Sequence, residues 1–209
     1  VLLTGRDVLG QAETGTGKTA AFALPMLHRV AEKPGPRGAT LGLVLVPTRE
    51  LAMQLAEAIH KYSKKTGARV VPVYGGASMD QQIRDLRHGA EIVVATPGRA
   101  LDHLRRGTLS LDALCCLVLD EADEMLDMGF ADELEAILAA TPKERQTALF
   151  SATLPPRILR IAERHMRDAA RITIARAKTT AGKLPRVRQV AYVVARHHKP
   201  AALGRVLDM

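Results

Sequence analysis

The chain has 209 residues, 47% apolar and 25% charged, an ordinary balance for a globular protein with a full hydrophobic core. No run approaches the roughly 18 apolar residues of a membrane span, and no charged, apolar, then small-residue start reads as a signal peptide, so a cytoplasmic protein without membrane association is expected. The net charge is +8, but residues 154–209 carry 13 Lys+Arg against 3 Asp+Glu and the remainder 17 against 19; that basic quarter reads as a nucleic-acid-facing surface, a linker or a solvated face.

In chain order, residues 7–10 form a weak strand candidate, followed by a glycine-rich loop and a helical stretch at 20–30. Further strand candidates follow at 43–46, 70–74, 92–95, 117–119 and 147–150. Helical patterns fall between them at 49–65, 79–87, 100–106 and 131–139. Each strand candidate is nearly continuous in apolar residues, the pattern of strands covered on both faces. The alternation implies right-handed βαβ crossovers: an α/β fold with a mostly parallel central sheet and helices on both faces. After residues 172–175 a Lys/Arg/Thr/Gly stretch reads as a basic linker over 176–187. A strand at 189–194 and a helix at 199–208 then read as the truncated start of a second domain, 188–209, after a first domain at 1–175. Cys115 and Cys116 are adjacent within an apolar run and read as small residues of a buried strand. The seven histidines show no ligand spacing, and no metal role falls to any of them.

Ligands of open parallel sheets bind beyond the carboxyl ends of the strands, and six polar segments follow strand candidates in this register. The first is Ala12, Glu13, Thr14, Gly15, Thr16, Gly17, Lys18 and Thr19. Its two glycines let the main chain curl into a nest of N–H groups at a helix N-terminus, suited to phosphate. Lys18 can reach the terminal phosphates, and the Thr19 hydroxyl can hold Mg²⁺. Ala12 departs from the general pattern, which has Gly there. The second informative segment is Asp120-Glu121-Ala122-Asp123, at the end of an apolar strand. A carboxylate there, Asp120, can hold Mg²⁺ opposite Thr19, and Glu121 is placed to orient or deprotonate an attacking water. The alternative, that acidic residues merely favour a helix N-terminus, loses force beside a phosphate loop.

Together with Pro47-Thr48-Arg49-Glu50-Leu51-Ala52, Gly75-Gly76, Thr96-Pro97-Gly98-Arg99 and Ser151-Ala152-Thr153, these segments make the chain resemble the DEAD-box family of RNA-dependent ATPases. The resemblance runs from about residue 7 to the end, and in that family the phosphate loop begins with Ala. It implies a RecA-like P-loop NTPase fold, ATP and Mg²⁺ as cofactors, and catalytic roles for Lys18, Asp120 and Glu121. It further implies that Pro47, Thr48, Arg49, Gly75, Gly76, Thr96, Pro97, Gly98 and Arg99 lie along an RNA backbone. Ser151 and Thr153 would hydrogen-bond Asp123 and couple the two sites. A second RecA-like domain would complete the ATP site with an arginine-rich motif, and an upstream segment would read adenine; neither is among these residues. With aromatic residues at 3% and no Trp, stacking on bases has little material, so RNA binding should be independent of base sequence. The helix at 100–106 is a candidate wedge against a duplex. Two rival readings are a P-loop ATPase of another class, such as a DNA helicase or transporter motor, and a non-catalytic binding module on the same fold.

Overall fold

A computed structural model describes residues 1–12, 15–32, 35–36, 38–174 and 190–208. Two units separate, residues 1–175 and 176–209. In the first, seven strands form one sheet: β1 (Val8–Gln11), β2 (Gly42–Leu45), β3 (Val70–Val73), β4 (Ile92–Ala95), β5 (Cys116–Leu119), β6 (Gln146–Ser151) and β7 (Ala170–Thr173). Their order across the sheet is β3-β4-β2-β5-β6-β1-β7. Every pairing is parallel, so the sheet is wholly rather than mostly parallel.

The helices are α1 (Lys18–Glu32), α2 (Arg49–Ser63), α3 (Met79–Arg87), α4 (Pro97–Arg105), α5 (Ala122–Asp127), α6 (Ala131–Ala139) and α7 (Pro156–His165). The continuous apolar runs are explained by two cores, one on each face. Leu43 and Leu45 of β2 join one, with Leu117 and Leu119 of β5 and residues of α4 to α7. Val44 and Val46 join the other, with Cys116, Val118 and residues of α1 and α2. Because successive side chains of a strand point to opposite faces, a strand with helices on both sides must be apolar at every position, and each fully buried leucine contributes about 2 kcal/mol.

Local sequence sets the helix ends. Thr48 caps α2, its Oγ1 accepting the Leu51 N–H at 3.2 Å, and Ser78 caps α3 through Gln81 N at 3.3 Å. Such caps satisfy main-chain donors that the first turn leaves without partners. Pro97 opens α4 three residues earlier than the apolar pattern predicts; a proline costs nothing at a position whose N–H has no helical acceptor. Gly98 and Arg99 therefore belong to the first turn of a helix and not to a loop.

The second unit is a 3-10 turn, Arg196–His198, leading into α8 (Lys199–Leu207). Of the strand expected at 189–194, the described residues 190–194 form none: they are exposed and pair with no strand among the described residues. An apolar stretch becomes a strand only when another strand takes its hydrogen bonds. The basic linker expected at 176–187 lies outside the described residues. None of the helices described is long and apolar enough to cross a membrane.

Candidate nucleotide and RNA site

Because all strands run parallel, their carboxyl ends lie along one edge of the sheet, and the six predicted segments emerge there. The strand order divides them. The phosphate loop follows β1, Asp120–Asp123 follows β5 and Ser151–Thr153 closes β6, and these three strands are adjacent. Arg49 follows β2, Gly75–Gly76 follows β3 and Thr96–Arg99 follows β4, and these are adjacent as well.

In the first group, Gly15 and Gly17 have φ of 78° and 85°. A Cβ at either would meet nothing within 4 Å, so glycine is required there by backbone conformation and not by space. Lys18 and Thr19 begin α1. The Lys18 ammonium lies 3.2 Å from Asp120 Oδ1, with both side chains less than a tenth exposed. Glu13 and Thr14 lie outside the described residues. A main-chain bond from Ala12 N to Ser151 O at 3.0 Å and a 3.3 Å bond from Gln11 Nε2 to Ala152 O join the phosphate loop to the β6 segment.

Asp120 Oδ1 also accepts the Glu121 N–H at 3.0 Å. Glu121 has φ 55° and ψ 49°, left-handed backbone on a non-glycine residue, a conformation that costs about 1–2 kcal/mol and turns the strand end sharply into α5. Burial raises its carboxyl pKa, the Asp120 charge raises it further, and Lys18 opposes them. Asp123 is held from β6: Thr153 donates through N at 2.9 Å and through Oγ1 at 2.8 Å to Oδ2, and Asp123 N donates to Ser151 Oγ at 3.3 Å. Burial opposes ionisation of Asp123, but these donors outweigh it and lower its pKa.

In the second group the structure separates surface from scaffold. Arg49, Gly75 and Gly76 are exposed, Thr48, Gly98 and Arg99 half-buried, and Pro47, Thr96 and Pro97 buried. Arg49 is paired with Glu50 at 2.6 Å. Its Nη1 lies 3.5 Å from where a Cβ of residue 76 would stand. Arg99 Nη1 donates to Ala77 O and to Gln82 Oε1, each at 3.1 Å. Sequence reasoning did not single out Gln82 or His103. Each is polar and falls in no motif, and the two meet across 21 residues of chain, so no local signal marks them.

A parallel sheet with a glycine-rich loop running from β1 into α1, and with an acidic strand end against that loop's lysine, defines the RecA-like P-loop class. The chain belongs to the DEAD/DEAH box helicase family, which it matches over residues 1–161. It is 53% identical over 210 residues to the ATP-dependent RNA helicase DeaD of Buchnera aphidicola from Acyrthosiphon pisum, covering 100% of this chain and 34% of that one. It is 50% identical over 207 residues to the ATP-dependent RNA helicase CshA of Listeria monocytogenes, covering 99% and 39%. A DEAD box protein from the hyperthermophile Methanococcus jannaschii superposes with a TM-score of 0.77 at 39% identity, covering 100% of this chain and 54% of that one. The chain thus spans 34–39% of the length of these two curated relatives.

Proposed function

We propose that this chain is the ATP-binding core of an RNA helicase that grips RNA by its backbone and couples ATP hydrolysis to local strand separation. The observation that carries the reading is the division of one sheet edge into two trios of adjacent strand ends, one bearing phosphate-loop and acidic chemistry, the other an exposed arginine and glycines.

On this reading the main chain of residues 12–17 cradles the phosphates, and Lys18 exchanges its contact with Asp120 for the terminal phosphates. Thr19 and Asp120 would supply a hydroxyl and a carboxylate, hard oxygen donors that suit Mg²⁺; the contact of Asp120 with Lys18, the neighbour of Thr19 in the chain, supports this pairing. When bound, Mg²⁺ neutralises charge on the phosphate oxygens. Glu121, with its raised pKa, orients the attacking water and takes its proton. Asp123, held by Ser151 and Thr153, passes the state of the nucleotide site to β6. Arg49, Gly75, Gly76, Thr96, Gly98 and Arg99, shaped by Pro47, Thr48 and Pro97, face RNA phosphates, where an arginine and open N–H groups give charge-assisted bonds indifferent to base sequence. A second RecA-like domain, whose first residues would be 188–209 after a linker at 176–187, closes over ATP and RNA and supplies the missing arginine. A cytoplasmic location follows from the same reading.

The test is ATP turnover by the full-length protein with single-stranded RNA or DNA of one sequence. Stimulation by RNA alone is expected; equal stimulation by DNA would favour a P-loop motor of another class. The 209-residue chain by itself is expected to bind nucleotide yet hydrolyse it about 10³–10⁵-fold more slowly than the full-length protein, the typical worth of a supplied arginine. Robust RNA-stimulated turnover by the isolated chain would refute that.

A further inference from the structure

Behind the RNA-facing trio lies a buried polar network that no part of the proposed chemistry uses. Gln82 of α3 is 4% exposed and His103 of α4 fully buried. Gln82 Nε2 lies 3.0 Å from Tyr74 O, the carbonyl just before Gly75 and Gly76. Gln82 Oε1 lies 3.1 Å from Arg99 Nη1 and 3.0 Å from His103 Nε2. His103 Nδ1 lies 2.8 Å from Thr108 Oγ1, which also reaches His103 O at 3.2 Å.

The contacts of Gln82 admit one proton arrangement. A guanidinium only donates and a main-chain carbonyl only accepts, so the Gln82 oxygen must face Arg99 and its nitrogen Tyr74. His103 Nε2 must then carry a hydrogen and donate to that oxygen. In the neutral ring Nδ1 accepts the single Thr108 hydroxyl hydrogen, and His103 O is served instead by the Thr108 and Leu109 N–H groups. Burial and the nearby Arg99 charge both push the His103 pKa down, in keeping with a neutral ring. The Gln82 amide is thus locked, and it ties together two of the three segments that face RNA. Buried networks of this kind are rigid only while every member is satisfied.

We propose that Gln82 and His103 are positioning residues of the RNA surface: Gln82 holds Arg99 and the main chain entering Gly75–Gly76 in one fixed relation, and His103 locks the Gln82 amide. The proposal rests on the RNA-backbone reading above. Two of the five guanidinium donors of Arg99 are engaged internally at Nη1, leaving Nε and Nη2 for phosphate. Their direction is set by Gln82, so the amide acts on RNA without touching it.

The test uses the full-length protein, reading the concentration of single-stranded oligoribonucleotide that half-maximally stimulates ATP hydrolysis, beside the KM for ATP. Gln82→Leu keeps the approximate volume and removes the amide; it should raise the RNA requirement about tenfold, since it takes a partner from buried His103 Nε2, from Tyr74 O and from one N–H of Arg99, and leave the KM for ATP unchanged. Two histidine substitutions separate positioning from packing. The amide of His103→Gln reaches where Nε2 lies and should keep near-native RNA affinity. That of His103→Asn reaches only where Nδ1 lies and should weaken it about fivefold, the worth of one buried hydrogen bond. If Gln82→Leu fails to fold, the histidine pair decides. An unchanged RNA requirement, a KM for ATP that rises in step with it, or equal behaviour of His103→Gln and His103→Asn would overturn the proposal. Arg49→Ala serves as the reference. If it also leaves the RNA requirement unchanged, the RNA-surface reading itself has failed; if it raises the requirement while the Gln82 and His103 variants do not, only the positioning role has.

Discussion

Glu121→Gln in the full-length protein is expected to bind ATP as the native protein does and to hydrolyse it about 10²–10⁴-fold more slowly, the usual contribution of a general base. The amide keeps the size of the side chain and its place as cap of α5, and it removes only the proton acceptor. Native Glu121 is suited to the task because burial and the adjacent Asp120 charge raise its pKa, so its carboxylate is a stronger base than a solvated one. Single-turnover hydrolysis beside equilibrium binding of a fluorescent ATP analogue separates the two effects. Parallel loss of binding and hydrolysis would mean that Glu121 shapes the nucleotide pocket and that another group handles the water.

The second large effect is one of stability. Lys18 and Asp120 pair at 3.2 Å with both side chains nearly buried. Removing one partner strands the other charge away from water, a change that typically costs about 3–5 kcal/mol. Lys18→Met in the 209-residue chain should therefore be strongly destabilised in urea unfolding, and Asp120→Asn less so, because the long lysine stem can reach toward water and the short aspartate cannot. The double variant should regain much of the loss, since no isolated charge remains; the cycle reads the coupling directly. Additive single effects would show that the two charges are independently solvated. A large coupling would mean that nucleotide binding must first break a strong contact, and measured affinity would then understate the grip of the loop on phosphate.

How far the residues themselves disclosed this molecule depends on where their partners lie. The strand centres were legible because burial on both faces demands unbroken apolar runs. The strand ends were not: Gln146 and Ser151 bound β6 and are buried although polar, because main-chain pairing continues past the apolar segment. Two helices were not among the expected elements: α5, whose six residues are too few to show a period, and α7, which opens on Pro156 after Pro155. Of the site, the six segments were readable from their place after strands. Their division into two trios was not, because it depends on the strand order, which no local pattern encodes. The same holds for Gln82 and His103, which meet across 21 residues of chain.

The neighbours of β1 carry a consequence for how the protein comes into being. The strand bearing the phosphate loop is the first in the chain, yet it is paired with β6 and β7, near the end of the unit. Asp7, at its entrance, accepts the main-chain N–H groups of Thr147 and Arg167, separations of 140 and 160 residues. Of the seven strands this one leaves the ribosome first and waits longest for its partners, and long-range parallel pairing of this kind forms slowly. Nucleotide capture is expected only after the strands that flank β1, residues 146–151 and 170–173, have also emerged. ATP capture by stalled nascent chains of increasing length would therefore begin abruptly, near the completion of β7, rather than when the loop itself has been made.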